Sequence, residues 1–148
     1  MNPHPYLRAY MAGLFAPSLG LLVALTIFIV TRVVLQVAIP LERVLIFPMA
    51  LVPNLFGLWN VFYVWLRPHR HLPIGLHGAL LPVLMIPAGA AAAICGGFLM
   101  IGAHGVTWFD AISIPYSLLT PWFLAVVVIY YLIWKYIVGF FNQMLGIA

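Results

Sequence analysis

Three histidines, His69, His71 and His77, lie close together between two apolar runs of this chain. Imidazole binds Zn, Cu, Fe or Ni, so a His-x-His pair with a third histidine is a spacing that can hold a metal. Against that use, the segment has no carboxylate to help, and Arg67 and Arg70 repel a cation. The simpler expectation is that these histidines, with His4, face anionic headgroups. A haem held between His77 and His104 is excluded by length, because one helix joining them would separate them by about 40 Å.

Arg32 and Gln36 are four apart and would share a helix face. A guanidinium inside an apolar stretch is a functional candidate by default. Facing inward, it would suit a carboxylate or phosphate, with Glu42 or Asp110 able to neutralise it. The simpler expectation is an arginine that snorkels to the membrane surface. Asn54 and Asn60 are amides in an apolar run. They are expected to bond neighbouring helices or kinked backbone, and Asn54 joins Arg32 and Gln36 in the polar lining of any path.

Prolines are spaced in pairs, Pro48 with Pro53 and Pro82 with Pro87. Each proline inside a helix removes the bond to the carbonyl four residues back, which would free Val44, Met49, Gly78 and Val83. Freed carbonyls at membrane depth can bind cations, water or polar parts of a substrate. Ordinary packing kinks are the simpler reading. Ala88, Ala92 and Gly96 fall on one face of their helix, and such a face lets another backbone approach closely, either within the bundle or on another subunit.

These residues need elements to position them, and composition restricts what those can be. The 148 residues are 66% hydrophobic and 5% charged, with six Lys/Arg against two Asp/Glu. Soluble domains carry about 25% charged residues, so lipid is the expected solvent. Four runs are long enough to span it: residues 17–39, 44–66, 76–103 and 118–140. Without water, helices are the expected form, because an open strand cannot satisfy its backbone there. The connections are short, which predicts an all-α, up-down four-helix bundle in a single membrane domain with proline-kinked helices. Residues 1–16 are expected to form a short interfacial segment or to lengthen and tilt the first span. No cleavable signal peptide is evident, and the N-terminus is taken as mature.

Arg8, Arg67, Arg70 and Lys135 fall on one side; Arg43, Glu42 and Asp110 fall on the other, with Arg32 leaning that way. The positive-inside rule puts both termini in the cytoplasm, and these signals point to a bacterial inner membrane. Trp59, Phe62, Tyr63 and Trp65, with Tyr130, Tyr131, Trp134 and Tyr136, are expected to form an inner aromatic belt, and Trp108, Phe109 and Trp122 an outer one. The scattered basic residues are no nucleic-acid footprint. The single cysteine, Cys95, rules out an internal disulfide.

No acidic residue lies inside an apolar run, which argues against proton or sodium coupling through a buried carboxylate. The Ser-His-Asp order, P-loop, Cys-x-x-Cys and H-E-x-x-H patterns are all missing. The expectation is therefore a non-catalytic membrane protein without a cofactor, acting as a homo-oligomer or as an accessory subunit of a larger complex. A small transporter or flippase for an amphipathic or anionic molecule is the alternative, and a histidine-based metal or haem protein a more distant one.

Overall fold

The computed structural model describes residues 4–38, 40, 42–69 and 71–147. Ile39, the last residue of the first expected span, Leu41, the first residue of the expected Leu41–Arg43 connection, and Arg70, one of the orientation arginines, lie outside the described residues. The chain is mostly helical, 75%. Four helices are long and apolar enough to cross a membrane: Pro5–Val34, Pro48–Leu66, Ile74–Cys95 and Tyr116–Met144.

Helix α1, Pro5–Ile29, continues as a π-helical turn, Val30–Val34. Pro5 stands in its first turn, where a missing N–H costs nothing. Pro17 lies inside the helix rather than at its start. Among the described residues the N-terminal stretch from Pro5 therefore belongs to the first long helix and forms no separate segment ahead of it. A second π turn, Glu42–Ile46, leads into α2, Phe47–Leu66.

Helices α1 and α2 run antiparallel and nearly touch backbone to backbone. A Cβ on Gly13 would stand 2.5 Å from the Phe56 carbonyl oxygen, and one on Gly57 would stand 2.6 Å from the Tyr10 ring. Gly20 faces Met49 farther along the pair. The sequence signal for this contact is the small-residue spacing Ala9–Gly13 and Ala12–Ala16–Gly20–Ala24, which carries no reactive group.

Helix α3, Ile74–Cys95, stops well short of residue 103. Gly97 takes a left-handed φ of 74°. The Phe98 N–H reaches back to the Ala93 carbonyl at 2.8 Å and the Gly97 N–H to Ile94 at 3.1 Å. This is a Schellman cap, and Gly96-Gly97-Phe98 is its sequence mark. Apolarity alone carried the expected helix past it.

The residues beyond form three short antiparallel strands, β1 Leu99–Ile101, β2 Gly105–Trp108 and β3 Ile112–Pro115, in the order β1-β2-β3. An all-α description omits them. Ile101, Val106, Ile112 and Ile114 suit strands, and the hairpins leave their inner backbone groups paired. Helix α4, Tyr116–Leu132, follows, then a third π turn, Ile133–Val138, and α5, Gly139–Met144.

The main hydrophobic cluster lies at one end. The hydrophobic core is Phe56, Leu81, Trp134 and Val138, with Val52, Trp59, Ile74, Met85, Tyr130 and Ile133 around it. It joins the second half of α2, the first half of α3 and the π turn after α4. Helix α4 itself has no buried residue.

Candidate functional site

Two polar clusters sit beside this core. In the first, His77 is 1% exposed, although its position near a loop suggested contact with headgroups. Its N–H bonds to the Pro73 carbonyl at 3.0 Å, so it belongs to the first turn of α3. The Trp59 indole N–H donates to the His77 carbonyl at 2.8 Å. His77 Nε2 lies 3.1 Å from the Trp59 carbonyl. A protonated Nε2 donates there, closing a reciprocal clasp between α2 and α3.

Aromatic rings enclose this histidine. Trp59 stacks on it at 4.8 Å, Tyr63 lies at 5.1 Å, Phe62 and Trp134 at 5.8 Å. Trp59, Tyr63 and Trp134 therefore depart from the expected belt: they turn inward around His77. Trp134 is 0% exposed, and Gly78 gives it room, since a Cβ there would overlap the indole. Among the described residues its Nε1 has no hydrogen-bond partner. Gly75 makes a matching recess for Tyr131.

In the second cluster, Asn60 and Asn142 are both buried and exchange amides. Asn60 Nδ2 donates to Asn142 Oδ1 at 2.7 Å and Asn142 Nδ2 donates to Asn60 Oδ1 at 3.0 Å. Asn60 also donates to the Ala9 carbonyl at 2.8 Å, so one side chain ties α1, α2 and α5. Nearby, Gly146 at φ 64° ends the chain's last helix with a second Schellman cap, and Arg67 donates to the Ile147 carbonyl at 2.9 Å. Asn142 was not among the residues singled out from sequence; with Gln143 beside it, it is an amide in an otherwise apolar stretch, which is the same kind of signal that marked Asn60.

The other expected site residues are dispersed. Arg32 is exposed, lies in the terminal π turn of the first span, and donates to the Val37 carbonyl at 3.2 Å. Gln36 stands past the helix with φ 49°, so the two do not share a helix face. The helix stops before Gln36, and the guanidinium closes its end. Asn54 is exposed and accepts from the Tyr10 hydroxyl at 2.6 Å. Pro53 and Pro82 are buried among helices, whereas Pro48 and Pro87 are exposed, so the four do not share one environment.

His69 and His71 are exposed and His77 is enclosed, so the three do not converge on one ion. Among the described residues no group of three or more His, Cys, Asp or Glu side chains is placed to hold a metal. Ala88, Ala92 and Gly96 are all exposed, and nothing stands within 4 Å of a Cβ built on Gly89.

At the opposite end from the core, Arg43, Gly97, Phe98, Phe109 and Asp110 line a cleft of about 480 Å³. Sequence had placed Arg43 and Asp110 on one side of the chain, and here they border the same space. No family model, no curated protein and no solved structure matches the chain.

Proposed function

We propose that this chain is a non-catalytic integral membrane subunit, an up-down four-helix bundle that binds a second helix along the outer face of α3. The observation that supports it is exposed Ala88 and Ala92 beside the open position at Gly89; Gly96, one turn on, caps the helix under the Phe98 ring and leaves this face to the other three. In hydrocarbon, helices gain nothing from hiding apolar surface, and close backbone approach over small residues is what drives their association. The internal clusters fit a scaffold: His77–Trp59 and Asn60–Asn142 spend their polar atoms on holding helices to one another. The second helix comes from another copy or from a larger membrane complex. Charge placement supports cytoplasmic termini in a bacterial inner membrane.

Native mass spectrometry after mild extraction tests the proposal. A homo-oligomer or a stable larger complex is expected, and Ala92→Leu should release the monomer while the helical circular-dichroism signal persists. A wild-type protein that is monomeric at all concentrations, or an Ala92→Leu variant with unchanged stoichiometry, would contradict it. A second reading, a small transporter or flippase for an amphipathic or anionic molecule, is supported by the mixed-charge cleft at Arg43 and Asp110. The placement of Arg32 and Gln36 at the end of the first span gives it no further support.

A further inference from the structure

The cleft between the start of α2 and the β-turns after α3 carries chemistry that the scaffold does not use. Arg43 and Asp110 are both exposed and of opposite charge. Among the described residues neither side chain makes a hydrogen bond or an ion pair, to the other or to any third group. Opposite charges that border one space without meeting leave room for a molecule that is itself dipolar. The volume of about 480 Å³ falls within the range of about 300–1,000 Å³ usual for small-molecule sites.

The floor of the cleft is aromatic and held at a local cost. Phe98 and Phe109 stack at 5.0 Å, and the Phe109 N–H bonds to the Phe98 carbonyl at 2.8 Å. Phe109 and Asp110 have φ of 50° and 55°. Two successive left-handed residues are the geometry of a tight hairpin turn that ordinarily takes Asn and Gly. A phenylalanine there costs about 1–2 kcal/mol. Backbone strain of this kind gathers where a ligand is held, and here both rings line the same cleft as the two charges.

We propose that this cleft binds a phosphate–ammonium zwitterion, the headgroup chemistry of phosphatidylethanolamine. Arg43 takes the phosphate through its planar pair of N–H donors. Asp110 takes the ammonium, with the ring of Phe109 or Phe98 offering its electron-rich face. The site rests on the reading that the four helices span a bilayer, since that places the cleft at headgroup height. The same zwitterion could also come from a soluble phosphoamine.

The test begins with alkali-washed membranes and continues in detergent. A chain that leaves the membrane pellet on alkaline washing overturns the spanning reading, and the site with it. The purified protein is then titrated with phosphatidylethanolamine or phosphatidylglycerol, and bound lipid is counted by native mass spectrometry. Wild type should retain phosphatidylethanolamine about tenfold better, the scale of one charge-assisted bond. Asp110→Asn, which tolerates the left-handed turn, should abolish that preference, and Arg43→Gln should weaken both lipids. Displacement by glycerophosphoethanolamine would assign the site to a soluble zwitterion; its failure to compete would assign it to the lipid. Equal retention of the two lipids by pelleting wild-type protein, or a preference that survives Asp110→Asn, overturns the site alone.

Discussion

Asn60 and Asn142 illustrate how a few polar atoms can hold apolar helices together. Each amide satisfies the other, and Asn60 spends a further N–H on the Ala9 carbonyl. Removing one partner leaves the other buried and unpaired, which costs about 1–3 kcal/mol, whereas replacing both with apolar groups of similar size can be nearly neutral. Thermal unfolding in detergent should therefore rank the variants unusually: Asn60→Leu and Asn142→Leu each less stable than the pair of changes together. A double variant no better than the worse single one would mean that the exchange does not bind the helices. Asn54→Ala, which removes one exposed bond to Tyr10, should cost less than either. Asn60 was marked by sequence as an interhelical amide. His77 was marked for the wrong reason, because its place in the chain said headgroup while the fold enclosed it in Trp59, Tyr63 and Trp134.

At the scale of elements, glycine determines where helices meet and where they stop. Gly13 and Gly57 allow α1 and α2 to approach, Gly75 and Gly78 receive Tyr131 and Trp134, and Gly97 ends α3. Gly97→Ala keeps the hydropathy of the run but puts a Cβ on a residue with φ 74°. It should cost about 1–2 kcal/mol, read as a lower unfolding temperature. Gly89→Ala, at a helical site with nothing within 4 Å, should leave the monomer's unfolding temperature unchanged or slightly raised. Equal effects at the two positions would refute the cap. The proline pairs proved less informative than their spacing: Pro53 and Pro82 are buried while Pro48 and Pro87 are exposed, so similar local sequence led to different surroundings.

For the whole molecule, the testable quantity is sidedness. In a Cys95→Ser background, His69→Cys reports the connection between α2 and α3, and Ala103→Cys reports the hairpin between β1 and β2. The positive-inside rule predicts that an impermeant maleimide labels position 103 in intact cells and position 69 only after permeabilisation. The reverse pattern would invert the proposed orientation. The same geometry makes the two ends unlike each other. One gathers the aromatic and amide clusters among buried residues, while the other carries the strands and the Arg43–Asp110 cleft.

Hydropathy and length alone determined four helices long and apolar enough to cross a membrane, the form in which a backbone away from water would bond within itself. The same apolarity hid everything that followed. A residue facing lipid and one facing a neighbouring helix are equally hydrophobic, so no periodic pattern reveals which face is which. Only tertiary structure turned Trp134 inward, paired Asn60 with Asn142, left Ala88 and Ala92 uncovered, and folded the end of the third apolar run into strands. Those outcomes depend on contacts between residues far apart in the chain.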